Sequence, residues 1–550
     1  MKLSRRDFLK TMGSLGGGAM LMLNGIPVRA MSATNTLNRI IKQYDTDNIL
    51  VLIQLHGGND GLNTFVPLDQ YQDYYNIRAN VALPRNGRRG LITLDENLPN
   101  NQQLGLHPDI LGFKNLYDEG SAAFVQNVGY ENTNMSHFRA RDIFFMGGDY
   151  NQNFASGWMG RFLNYEYPGY PENYPSTDHP DPLALELGNA HSLAFHRENG
   201  IPMGLSIANP QAFYDLISGV GGPPPVAFPD SYYGDELQYL MQMEDQANGY
   251  AERLRYLYDN GTVADGIIYT EKYPLNAPPQ YRNNPLSEQF RILSHLISGG
   301  SNTRIYVIRM GGFDTHADQV EPYDNTMGRH AALVHHLSAS VKTFYDDLKK
   351  QGLDERVVTM TFSEFGRRVY SNAGYGTDHG KAAPLMLFGP ALKGGVYGNN
   401  PDLSDLDRGN LKYKFDYRQV YTSVLKDWLG ASDEALSNVY FDDFVDSRLD
   451  LFGTADKKDP KSSTDIHRLY DCYPNPAKHS VTFSYYLSEQ TDVTVSLYKI
   501  NGEKAASFNF GKQEKGEHKK KVDISHLPKG SYLYTFKADK ISKTLSLIIM

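Results

Sequence analysis

Five short apolar runs constrain this chain more than any other feature. They are ILVLIQL from Ile49, AAFVQNV from Ala122, IYVIRM from Ile305, VVTMTF from Val357 and PLMLF from Pro384. Each is short and dominated by apolar residues, many of them β-branched or large, the pattern of a strand buried on both faces. Between them lie segments of helical spacing at residues 108–117, 139–145, 285–297 and 325–351. Leu333, Leu337, Val341, Phe344 and Leu348 mark one face of the last of these. Strands alternating with helices predict an α/β fold, a mostly parallel sheet with helices on both faces.

At 550 residues the chain exceeds the length at which one core stops growing, so a large domain with appendages is expected. The large α/β domain is expected over residues 31–452, between an export signal and a polar linker. Residues 160–300 are interrupted by NYEYPGYPENYPSTDHPDP and GVGGPPPVAFP and are expected to form a cap over the sheet edge. A polar linker follows over 453–472, then alternating segments broken by Asn501-Gly502 and Lys529-Gly530, which predict a small antiparallel sandwich over 473–550. The formal charge is −9, and the last fifty residues carry ten lysines against five acids, so the main body is acidic and unsuited to nucleic acid. With Cys472 alone, no intrachain disulfide is possible. Residues 1–30 carry Ser4-Arg5-Arg6-Asp7-Phe8-Leu9-Lys10, a short glycine-rich apolar stretch and Val28-Arg29-Ala30, the pattern of a twin-arginine export signal. No later segment approaches transmembrane length.

Chemistry is expected where the strands end, because open α/β sheets bind ligands beyond the carboxyl ends of their strands. Asp60 follows the first run, Asp314 and His316 the third and Glu364 the fourth, while His379 precedes the fifth. These side chains suit zinc, manganese or magnesium. Asn59, His137, Arg139, Arg367 and Asp378 stand beside them in sequence as supporting candidates. Ser136 opens a helical segment and is either its N-cap or a nucleophile in the positive field of the helix start. The plain alternative is a charged surface loop held by Arg-carboxylate pairs. A Ser-His-Asp hydrolase lacks its G-x-S-x-G elbow.

The motifs LHGGNDGLN, NMSHFRARD, GWMGRF, GGFDTH, FSEFGRR and TDHGKAAPLMLFGP, spread over residues 45–400, resemble the bacterial family known as domain of unknown function 1501. That family is similar to a remote branch of the alkaline phosphatase and sulfatase superfamily. The resemblance implies Ser136 as nucleophile, with Asp60, Asp314, His316, Glu364 and His379 holding one or two divalent metal ions, zinc or manganese. Two departures stand out: Phe365 occupies the place of a histidine ligand, and Asp314 and His316 are closer in sequence than the superfamily pattern. Residues 473–550, from YPNPA to KGSYLYTFKADKISKTLSLII, resemble the type A sorting domain of the type IX secretion system. Together these imply an exported metal-dependent hydrolase acting on phosphate or sulfate esters of a small molecule or glycan. Its other partners would be the export and outer-membrane secretion machinery, and its destination the periplasm and then the cell surface or medium. The alternative is a noncatalytic surface protein that keeps the fold to bind glycans or a partner.

Overall fold

The computed structural model describes residues 20–23, 26–29, 47–452 apart from 172–173, 177–178, 189–190, 213–214 and 216–248, and 468–549 apart from 470–471, 473–474, 476, 488–489, 500–503 and 539–540. The expected export signal and most of the linker lie outside the described residues. Within the signal, only Met20–Leu23 and Ile26–Arg29 are described, as an antiparallel pair of strands. The chain divides into two compact units, 1–453 and 454–550. Among the described residues no helix is long and apolar enough to cross a membrane.

The first unit is built on one sheet. In chain order its elements are β1 (Ile49–Leu55), α1 (Leu111–Asp118), β2 (Ala122–Gly129), α2 (His137–Met146), α3 (Trp158–Glu166), β3 (Ala184–Leu187) and β4 (Leu205–Ile207). Then come α4 (Pro285–Ser298), β5 (Ile305–Met310), α5 (Arg329–Lys350), β6 (Val357–Phe362), β7 (Arg367–Ser371), β8 (Thr377–His379), β9 (Ala383–Phe388), β10 (Gly395–Tyr397) and α6 (Tyr417–Ser423). The sheet order is β10-β2-β9-β6-β1-β5-β3-β4, with Phe415–Asp416 pairing β2 as well. All five apolar runs are strands, and β1 is buried along its whole length. Alternate residues feed two cores: Leu50 and Leu52 pack on one face with β2, α2 and α3, and Ile49, Val51, Ile53 and Leu55 on the other with α1, α4 and α5.

Two details differ from the sequence reading. The fifth run, β9, is antiparallel to both its neighbours, β6 and β2. Between β6 and β9 the chain makes only the β7–β8 hairpin, and without a crossover helix it returns reversed. Part of the expected cap also lies in the sheet. Ala184–Leu187, fully buried, pairs in parallel with β5, and β4 extends the edge beyond it.

The register aligns the strand tips. Met310 of β5 lies opposite Leu55, and Phe362 of β6 opposite Gln54. Because β9 is reversed, its beginning rather than its end meets the end of β2, Ala383 opposite Val128. The segments after β1, β2, β5 and β6 and the one before β9 therefore share one edge.

The second unit has two antiparallel sheets. Arg468–Leu469, Ser480–Leu487 and Gly516–Asp523 form one, and Lys504–Gln513, Thr491–Lys499, Gly530–Ala538 and Ile541–Ile549 the other. Val481, Phe483 and Tyr485 from the first share a core with Val493, Val495, Tyr534 and Phe536 from the second. That is the sandwich expected from the alternation.

Candidate metal centre

Asp314 stands at the middle of the shared edge. Its Oδ1 lies 3.2 Å from His379 Nε2 and 3.3 Å from His316 Nε2, and its Oδ2 lies 3.5 Å from His137 Nε2. Ligand atoms of His137, Asp314 and His379 fall within 4.8 Å of one another. His316 Nε2 is 2.9 Å from His379 Nε2. The Asp314 side chain is 45% exposed, so the cluster opens to solvent.

The other nitrogen of each ring is engaged. His137 Nδ1 meets Glu364 Oε1 at 2.9 Å, His316 Nδ1 meets Asp378 Oδ1 at 3.2 Å, and His379 Nδ1 meets the Met135 carbonyl at 2.8 Å. All three partners accept and none donates, so each Nδ1 is the donor in its bond and each ring turns its Nε2 toward Asp314. A second ring nitrogen held by a carboxylate or carbonyl is the usual arrangement of metal-binding histidines. Two lone pairs 2.9 Å apart repel; a proton on one ring or a shared cation relieves them. Burial holds His379 below the ordinary imidazole range, against that proton. The Glu364 hydrogen bond raises His137 despite burial.

Arg367 braces the centre from beneath. Its Nη2 donates to Asp314 Oδ1 at 2.8 Å and to the Phe313 carbonyl at 2.9 Å, its Nε to the Gly58 carbonyl at 2.8 Å and its Nη1 to the Thr377 carbonyl at 2.9 Å. Burial would raise the Asp314 carboxyl, but the bond and charge of Arg367 overcome it and hold the group at about 2. Asp314 is therefore an anion at any physiological pH. Gly57 admits the close approach of the two turns, since a Cβ there would meet the Asp314 backbone nitrogen at 2.2 Å.

The structure redistributes the expected site residues. Asp314, His316 and His379 converge, and His137, expected only to support, converges with them. Asp60 does not. It is 1% exposed and takes Arg78 on both oxygens, at 3.0 and 2.9 Å, with Gln319 Nε2 at 2.6 Å. Burial opposes its charge, yet Arg78 and His330 keep it below the usual carboxylate range. Its two oxygens are committed to protein donors, and a guanidinium supplies the positive charge it needs.

Glu364 is fully buried behind His137, its Oε1 also accepting from the Gly57 nitrogen at 2.7 Å, so it orients an imidazole instead of joining the convergent atoms. Asn59 lies deeper still, bonded to Thr64 and to His330 Nε2. Arg139 points away, to the Tyr150 carbonyl at 3.0 Å and to Gln152. Asp378 is exposed and holds His316 together with Asn372. Phe365 packs its ring against both His137 and His379, with centroids 4.9 and 4.5 Å away, so the place of a further ligand is filled by an apolar spacer.

Ser136 precedes α2 as its N-cap, but its side chain makes no capping bond; its backbone nitrogen is held by Asn134 Oδ1 at 2.8 Å. Its neighbours on either side, Met135 and His137, both touch the cluster. Three further residues matter that composition and spacing did not single out. Arg78 neutralises Asp60. Gln319 bonds Asp60 with its amide nitrogen while its Oε1 accepts from Thr315 at 3.0 Å and Thr377 at 2.7 Å, tying together the two turns that carry Asp314, His316 and His379. His56, exposed at the end of β1, lies with its ring 5.8 Å from that of His137.

A fold of this kind, carrying an open cluster of three imidazoles and a carboxylate at its strand tips, defines an α/β protein with a candidate metal centre. Residues 276–429 match the family model described as protein of unknown function (DUF1501), a span that includes Asp314, His316, Glu364 and His379. Residues 471–550 match the secretion system C-terminal sorting domain, which marks the protein for export to the cell surface or beyond. No curated protein matches the chain. Among solved structures it overlays a protein of a glycosaminoglycan-metabolism locus of Bacteroides thetaiotaomicron at 12% identity and TM-score 0.30, covering 90% of this chain and 89% of that one. A protein in the alkaline phosphatase superfamily from Vibrio parahaemolyticus overlays at 10% identity and TM-score 0.31, covering 85% and 83%. A Pseudoalteromonas sulfatase does so at 13% identity and TM-score 0.31, covering 89% and 86%. Overlays this loose carry no chemistry.

Proposed function

We propose that the first unit is an exported metal-dependent hydrolase of phosphate or sulfate esters, with one divalent cation held by His137, Asp314, His316 and His379. The carrying observation is the set of three imidazoles whose Nδ1 atoms are all bound to acceptors while their Nε2 atoms lie 3.2–3.5 Å from the Asp314 oxygens, with His137, Asp314 and His379 forming the tightest group and His316 beside it. Three nitrogens and a carboxylate suit zinc. The commitment of Asp60 to Arg78 favours one ion over two.

When bound, the cation supplies Lewis acidity toward an ester oxygen. The chain does the rest. Ser136 has a hydroxyl not spent on capping and the positive end of the ten-residue α2 behind it. Its Oγ is the nucleophile: the bond from Oγ to phosphorus or sulfur forms as the bridging bond to the alcohol breaks. The serine proton leaves with the alcohol, and water then releases the inorganic anion and restores the hydroxyl. Glu364, Asp378 and the Met135 carbonyl keep the three rings in orientation.

The test is metal analysis of purified protein together with turnover of aryl phosphate and aryl sulfate esters. About one equivalent of metal, lost in His379→Ala, and turnover lost in Ser136→Ala with metal retained are expected. Protein that binds no metal from a zinc or manganese solution overturns the proposal. A metal-bearing protein inert toward every ester would instead favour the noncatalytic binder.

A further inference from the structure

Arg329 is the first residue of α5, a helix of 22 residues, and nothing acidic stands in that first turn. A cation at a helix start faces the positive end of the dipole, which disfavours it. The side chain is nevertheless held in one place. Its Nε donates to the Gly312 carbonyl at 2.7 Å and its guanidinium lies over the Tyr281 ring at 4.6 Å. Gly312, two residues before Asp314, has φ +105, a conformation side chains rarely adopt, and a Cβ there would press on Tyr281 Cε1 at 3.0 Å. The backbone that carries Asp314 thus also fixes Arg329.

Among the described residues Nη1 and Nη2 of Arg329 have no hydrogen-bond partner. Asp314 and Asp318 lie within electrostatic reach, and neither forms an ion pair with it. Burial holds Arg329 below the ordinary guanidinium range, only partly offset by Tyr281 and Asp314. Arg367, by contrast, has given Nε, Nη1 and Nη2 to carbonyl groups and Asp314. An arginine pinned at Nε and stacked on a ring presents its two terminal nitrogens as a planar fork, the geometry that fits two oxygens of a tetrahedral oxyanion.

We infer that Arg329 is the oxyanion-recognition residue of this site, binding the phosphate or sulfate group of the ester beside Asp314. The inference rests on the metal-centre reading above. Phosphate and sulfate present the same tetrahedral oxygens, and Arg329 serves either.

The experiment is calorimetric titration of the metal-loaded full-length protein with inorganic phosphate and, separately, inorganic sulfate, for the parent, Arg329→Gln and Arg329→Lys. Metal content is measured first in all three and is expected to be equal. The parent binds at least one of the two anions, Arg329→Gln weakens that binding tenfold or more, and Arg329→Lys, with charge but no fork, falls between. The anion bound more tightly assigns the ester class. If Arg329→Gln misfolds, Arg329→Lys alone decides, by weaker binding than the parent. Metal-bearing parent that binds neither anion, or variants that bind as the parent does, overturns the role of Arg329 and leaves the metal centre standing. Parent without metal overturns the metal centre, and this role with it.

Discussion

Asp60→Asn separates a scaffold acid from a metal ligand. In the native protein the Asp60 carboxylate and the Arg78 guanidinium are both buried and joined through two hydrogen bonds. The amide keeps the shape and removes the charge, leaving the guanidinium uncompensated. Breaking one partner of a buried pair costs ~3–5 kcal/mol. At roughly 2.1 cal/mol/K per residue, a body of about 400 residues unfolds with an entropy of about 0.8 kcal/mol/K, so the melting temperature falls by about 4–6 °C. Scanning calorimetry in excess chelator measures this without any contribution from metal. Elemental analysis of the untreated variant gives the other half, and metal content equal to the parent's is expected. The reasoning is refuted if Asp60→Asn loses metal while its chelated melting temperature matches the parent's.

Acid is a second probe. Burial pushes His330 and His336 down to about 4, so between that value and about 6.5 the unfolded chain binds more protons than the folded one. Their contribution is complete above about pH 6.5 and is lost as pH falls, costing about 2 kcal/mol per histidine by pH 5. Denaturant midpoints at pH 7.5 and pH 5 measure it, and identical midpoints would contradict the burial of these rings. Glu364→Gln, which replaces the carboxylate on His137 Nδ1, is expected to weaken metal affinity about 10–100-fold in a chelator competition. An unchanged affinity would mean that His137 is not a ligand. Phe365→Ala removes the buried ring between His137 and His379 and is expected to cost ~3–5 kcal/mol in denaturant unfolding. A loss below about 1 kcal/mol would show the ring to be dispensable.

The scaffold was legible because burial on both sheet faces leaves a clear trace: segments of six to eight mostly apolar residues without strict alternation. The reversal of β9 was missed, although the twenty residues between Phe362 and Ala383 carry its signal. They hold Gly366, Gly374, Gly376 and Gly380 and no helical spacing, so no crossover could be built there. Asp314, His316 and His379 could be found from sequence because each sits within a few residues of a strand end. Asp60 sits there equally, and only the tertiary approach of Arg78, eighteen residues on, decides its role. His137 was underrated for the same reason. Its ring is aimed by Glu364, 227 residues away in the chain, and no local pattern records that. Arg329 looks like one more solvated helix charge until Tyr281 and the Gly312 carbonyl are seen to hold it.

The reversed fifth strand bears on how the proposed centre would gain a cation. His379 leads into β9, which lies between β6 and β2, so its place beside Asp314 depends on long-range strand pairing. A nascent or unravelled polypeptide therefore offers a passing ion no ready-made chelate, and capture has to wait for the finished body. On the proposed function, the cellular space in which folding finishes would set the menu of ions on offer, and a purification that refolds the chain in a different one would be expected to return a different occupant.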